Sequence, residues 1–114
     1  MELVAYESTV IPNISKKVPV ELLPHWAALG ASAEMGEVSA VIEKALRKKG
    51  YIDPDDETAI LDEVGDVLWF LVALLYATGW TLEDAMKYNV KKLEDRRSGL
   101  VEDRRNARKA AEGN

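Results

Sequence analysis

No cysteine occurs among the 114 residues. Disulfides and thiolate metal ligands are thereby excluded, which fits a cytoplasmic setting. Histidine is almost as scarce: His25 stands alone, so the paired Glu-x-x-His ligands of di-iron bundles are absent. Long apolar runs are missing too. The longest, Val67 to Ala77, has eleven residues, against roughly 20 needed to cross a bilayer, so no membrane partner is expected. Met1-Glu2-Leu3-Val4 lacks a basic start and a long apolar continuation, which predicts no signal peptide. Basic residues number 15 against 20 acidic ones, a net charge of −5, so nucleic acid is not an expected partner. There is no strand-like alternation, no internal repeat and no glycine-rich phosphate loop.

What is present reads as one helical domain. The chain is 47% apolar and 31% charged, a globular balance with enough length for one core. Residues 1–19 read as an irregular lead-in arm. Within it Tyr6-Glu7-Ser8-Thr9-Val10 is compatible with a short helical turn or a strand, and Pro12 and Pro19 interrupt regular structure. From Val20 apolar residues recur at threes and fours (Leu23, Leu29, Met35, Val38, Val41, Ile42, Ala45, Leu46). A first helix is expected over about 21–49, with a possible break near Gly30 and a stop at Gly50 after Lys48-Lys49. Asp53-Pro54-Asp55-Asp56 has the form of an N-cap, a proline at the first helical position and acids in the first turn. The second helix then runs from Pro54 or Thr58 to Thr78. It is apolar nearly all round from Val67, which marks it as the central helix. Thr81-Leu82-Glu83-Asp84 resembles a capping box, with an acid three residues after the threonine. It opens a third helix expected over about Thr81 to Arg97, which Ser98-Gly99 stops. Residues 101–114 read as a solvated, charged tail.

Two acidic pairs lie inside the apolar stretches: Glu34-Met35-Gly36-Glu37 and Glu63-Val64-Gly65-Asp66. A spacing of three puts both carboxylates of a pair on one helix face. Such pairs are common on solvated faces, where a lysine such as Lys44, seven residues beyond Glu37, would offset them. Asp66, however, abuts Val67-Leu68-Trp69-Phe70-Leu71, and a carboxylate there needs a partner or a metal. Two pairs on adjacent antiparallel helices can face each other and offer an oxygen-only site suited to Mg2+ or Mn2+. On the third helix Asn89, Lys92 and Arg96 share a face, either as solvated charge or as donors to phosphate oxygens. His25, Trp26 and Trp80 are candidates to stack on a base, or simply core and rim packing.

These segments resemble the MazG-like, all-α nucleoside triphosphate pyrophosphohydrolases. Their signature, Glu-x-x-Glu followed after a gap by Glu-x-x-Asp, matches Glu34…Glu37 and Glu63…Asp66. Asn89-Val90-Lys91-Lys92-Leu93-Glu94-Asp95-Arg96 resembles the family's Asn-x-x-Lys-Leu-x-x-Arg segment, and Lys44-Ala45-Leu46-Arg47 the basic end of its first motif helix. The resemblance covers about residues 6–100. After Arg96 the chain departs from the pattern. The resemblance implies a helical bundle over residues 1–100, assembled as a homodimer or homotetramer. It implies hydrolysis of a (d)NTP between the α and β phosphates to a monophosphate and diphosphate. Glu34, Glu37, Glu63 and Asp66 would hold Mg2+, with Mn2+ as a substitute. Glu37 or Glu34 would serve the attacking water, and Lys44, Asn89, Lys92 and Arg96 would bind phosphates. A deoxynucleotide is expected, with a weak preference for a purine such as dGTP. Alternatives are a phosphoribosyl-ATP pyrophosphohydrolase and a non-catalytic helical nucleotide-binding module.

Overall fold

The computed structural model describes residues 1–112, apart from the side chains of 100–105. Five α-helices carry these residues, with no strand among them: α1 (Leu3–Val10), α2 (Leu23–Lys48), α3 (Pro54–Ala77), α4 (Leu82–Arg97) and α5 (Leu100–Glu112). They divide into two compact units, one formed by residues 1–81 and a second from Leu82 onward.

The first unit is a hairpin of two long helices with a short helix laid against it. Proline sets where α2 begins. Pro19 is followed by a 3-10 turn, Val20–Leu22, and Pro24 occupies the first turn of α2, where a missing N–H costs nothing. The helix ends where Gly50 takes a φ of +83° and its N–H reaches back to the Ala45 and Leu46 carbonyls. That left-handed turn closes the last carbonyls at little steric cost only for glycine. Asp53 then caps α3. Its side chain accepts from the Asp56 N–H at 2.8 Å, while Asp56 accepts from the Asp53 N–H at 3.0 Å, a reciprocal capping box.

Lys49 ties the two helices at this corner. Its ammonium bonds to the Asp53 carboxylate and, at 2.5 Å, to Asp56. The Lys49 contact, joined by the Asp56 backbone N–H, holds the Asp53 carboxyl down to about 2. A carboxyl whose folded pKa lies below its unfolded one stabilises the fold fully above the unfolded value, and that contribution fades as the pH falls toward the folded one. Lys49→Met is therefore expected to lower the thermal midpoint at pH 6 and to converge with the parent protein toward pH 2, which a pH series of melts reads directly.

The hairpin's core lies at its far end from this corner. Ile14, Leu23, Ala27 and Ala73 form a buried cluster, with Ile11, Val18, Trp26, Trp69, Leu74 and Ala77 packed around it. Trp26, Trp69 and Phe70 meet edge to face, with ring centroids 5.1–6.2 Å apart, a favoured arrangement for aromatic quadrupoles. Gly30 does not break α2, contrary to the sequence expectation; the helix runs through it. Its lack of a side chain serves packing instead, since a Cβ there would sit 2.2 Å from the Phe70 ring. Gly30→Ala is expected to destabilise the fold by about 1–3 kcal/mol, the usual cost of overpacking. Denaturant titration reads the loss, and Phe70→Leu should recover part of it.

Two further expectations need correction. The second helix is not surrounded: in α3 only Val72 and Ala73 are buried, while Leu68, Leu71 and Tyr76 are exposed. One neighbouring long helix and one short one cannot cover a helix that is apolar all round. The segment following Gly99 is also helical, as α5, where the sequence predicts a charged tail. Its residues 106–112 are exposed, as that composition implies. Charge of both signs at i, i+4, such as Arg108 and Glu112, suits a solvated helix.

In the second unit α5 follows α4 after the short Ser98-Gly99 turn. Leu82 and Asp95 are the buried residues of α4. Lys91 donates to Asp95 at 3.1 Å, and the Ser98 hydroxyl donates to the Asp95 carbonyl at 2.9 Å, closing the helix end.

Candidate active site

The antiparallel pairing of α2 and α3 sets the site. Since Gly30 meets Phe70 near one end and Lys49 meets Asp53 at the other, residues near 34 must lie opposite residues near 63–66. Both acids of the second pair and the first acid of the first pair meet there. One carboxylate oxygen from each of Glu34, Glu63 and Asp66 lies within 4.8 Å of the others. Glu34 and Glu63 are partly buried in the seam and Asp66 is exposed. Glu37, one turn along from Glu34, is exposed and stands outside this trio. Its charge nonetheless reaches Glu63.

The trio carries an electrostatic cost. Glu63's carboxyl is raised, first by desolvation and then by the negative charges of Asp66, Asp62, Glu34 and Glu37. Acids gathered without a compensating cation resist ionisation in this way. The donor set fits a hard cation. It is all oxygen, and separations of no more than 4.8 Å are compatible with three oxygens each roughly 2.0–2.6 Å from one ion. A Cβ at Gly36 or Gly65 would meet nothing within 4 Å, leaving open space beside both pairs.

Tyr6 is the residue that sequence reading passed over. It projects from α1, which packs on α3 with Glu7 and Val10 buried. Its hydroxyl donates to the Gly65 carbonyl at 3.5 Å, between the two acids of the second pair. Burial and the Asp66 charge both raise its phenol. Only the run Tyr6–Val10, open between helix and strand in the sequence, hinted at ordered structure there; nothing local revealed what it would touch.

The remaining candidates are placed as follows. Lys44 is exposed on α2, further along the helix than Glu37. Asn89, Lys92 and Arg96 lie on α4, all exposed, at the helical spacing expected. Trp26 belongs to the aromatic packing of the core, whereas His25 and Trp80 are exposed.

Comparison with known proteins bears on this arrangement. A family model described as the MazG nucleotide pyrophosphohydrolase domain matches residues 27–101, a span that includes both acidic pairs and all of α4. The Gene 37 protein of Mycobacterium phage L5 is 26% identical over 103 residues, covering 89% of this chain and 90% of that protein. No solved structure matches. No helix among the described residues is long and apolar enough to cross a membrane.

Proposed function

From the premise that this chain belongs to the MazG nucleotide pyrophosphohydrolase family, we propose that it is a Mg2+-dependent hydrolase of nucleoside triphosphates. It cleaves between the α and β phosphates to give a monophosphate and diphosphate, with deoxynucleotides preferred and a purine such as dGTP favoured among them. The observation that carries this reading is the convergence of Glu34, Glu63 and Asp66 on one point of the α2–α3 seam.

Glu34, Glu63 and Asp66 would hold Mg2+, with Mn2+ as a substitute. When bound, the ion supplies charge compensation on the phosphate oxygens. Glu37, exposed beside the trio, would accept the proton of the water that attacks the α phosphorus, with Glu34 completing the pair. The bond between the α phosphorus and the oxygen bridging to the β phosphate breaks, and that oxygen leaves with the diphosphate, taking the electron pair. Lys44, Asn89, Lys92 and Arg96 are the proposed donors to phosphate oxygens; Arg96 suits this role because its guanidinium can bind two oxygens at once.

The protein is proposed to work as a homodimer or homotetramer. Leu61, Val64, Leu68 and Leu71 of α3 are all exposed and recur at three, four and three residues, a continuous stripe. On α2, Leu29, Met35 and Leu46 are exposed as well. With Leu29 and Leu61 each 72% exposed, this apolar surface is more than one chain of this size comfortably leaves in water.

The test is incubation with each nucleoside triphosphate and Mg2+, with separation of monophosphate and diphosphate. Release of orthophosphate with a nucleoside diphosphate would overturn the cleavage position. Thermal stabilisation by nucleotide without turnover would identify a non-catalytic binding module. Turnover of phosphoribosyl-ATP alone would move the activity to that substrate.

A further inference from the structure

The N-terminal helix brings one polar group to the acidic site that the proposed chemistry leaves unused. Two buried residues, Glu7 and Val10, fix the rotation of α1 against α3, and Tyr6 is thereby turned toward the second acidic pair. Its hydroxyl reaches the Gly65 carbonyl at 3.5 Å. That bond is long, beyond the usual range for a hydroxyl donor. The acceptor is also a carbonyl within α3, where the helical pattern already engages it. The hydroxyl is thus only loosely committed, one residue from Asp66.

We infer that Tyr6 is a positioning residue for Asp66, its hydroxyl donating to the Asp66 carboxylate when that carboxylate holds a cation. The inference rests on the metal site proposed above. A carboxylate has two oxygens. One oxygen of Asp66 lies within 4.8 Å of oxygens of Glu34 and Glu63, which leaves its second oxygen to accept from another donor, and the Tyr6 hydroxyl at the adjoining Gly65 carbonyl is the donor at hand. Asp66 is the exposed member of the trio, so surrounding side chains hold its carboxylate least. Ligating carboxylates are ordinarily oriented by such outer donors, whose removal weakens metal binding about 10–100-fold. The arm that sequence reading treats as a lead-in becomes, through this contact, one wall of the site.

The experiment is Mn2+ binding by calorimetry to the full chain, to Tyr6→Phe, to Asp66→Asn and to the double variant. Tyr6→Phe keeps the ring and its packing, so the thermal midpoint without metal should stay within about 1 °C. Its Mn2+ affinity should fall about tenfold, with kcat at saturating metal nearly unchanged. In the Asp66→Asn background the same change should cost clearly less, because the amide offers a single uncharged oxygen in place of a carboxylate for Tyr6 to orient. Wild-type affinity in Tyr6→Phe, alongside weakened binding in Asp66→Asn, would overturn the role of Tyr6 and leave the metal site standing. An equal loss from Tyr6→Phe in both backgrounds would also overturn it, as a general packing effect. Failure of the unaltered protein to bind Mn2+ would overturn both this inference and the proposed site.

Discussion

Glu63→Gln is expected to lower pyrophosphohydrolase turnover at least about a hundredfold, since loss of a direct anionic ligand should cost no less than loss of an outer one. The same change should make the metal-free protein more stable. Glu63 is raised by desolvation and by four neighbouring acids, so its ionised form is disfavoured in the fold. For a group whose folded pKa lies above its unfolded one, stability is fully present below the unfolded value and is lost as the pH rises through the folded one. Metal-free parent protein should therefore lose thermal stability as the pH climbs out of the ordinary carboxylate range. Glu63→Gln should flatten that decline, and Mn2+ should reverse it in the parent protein but far less in the variant. Melts between pH 4 and 8 with and without Mn2+, paired with diphosphate release, test all three. Turnover within tenfold of the parent would remove Glu63 from the site. A stability that rises over that interval would show the acids to be relieved by something other than a cation.

Leu68→Glu is expected to break the proposed assembly. Leu68 lies in the exposed stripe with Leu61, Val64 and Leu71. Burying a leucine side chain contributes about 1.5–3 kcal/mol. In a two-fold interface every substitution occurs twice. Leu68 is only 38% exposed in the single chain, so the apolar loss is roughly 1–2 kcal/mol, or on the order of tenfold in dissociation constant. A glutamate buried there without a partner would cost more. Light scattering after size separation should show a dimer or tetramer for the parent protein and a monomer for the variant. The stripe sits beside the acids, as Val64 follows Glu63 directly, so turnover should fall with the assembly. A monomeric parent protein would overturn the assembly, and the exposed leucines would then be an ordinary surface cost of a small hairpin. Glu63→Gln and Leu68→Glu are separable, because the first should leave the oligomer intact.

Much of the helical framework was legible because its signals are local. Asp53-Pro54-Asp55-Asp56 determines where α3 begins through groups at most three residues apart, and the structure forms the cap with the same residues. Gly50 and Gly79 end helices through their own backbone freedom, each at positive φ. Gly30 shows the limit. Read locally, a glycine inside a helix suggests a break; its reason is the Phe70 ring on the other helix, and no spacing within α2 reports that. The apolar stretch from Val67 misled in the opposite direction. Its composition reports what would like to be buried, whereas its exposure at Leu68 and Leu71 depends on how many neighbours the fold supplies.

The same division runs through the site. The sequence by itself determined that Glu34 with Glu37, and Glu63 with Asp66, share helix faces, that the two acidic pairs offer only oxygen ligands, and that neither thiolates nor paired histidines could take part. These follow from helical period and residue chemistry, which are properties of the chain. Only the tertiary structure decided that Glu34, Glu63 and Asp66 converge while Glu37 stands a turn aside, and that Tyr6 comes to rest beside Gly65. Those outcomes depend on the register between α2 and α3 and on how a short helix with two buried residues settles against them. Register is fixed by packing between residues distant in sequence, such as Gly30 and Phe70, and the energy that selects it exists only once both helices are in place.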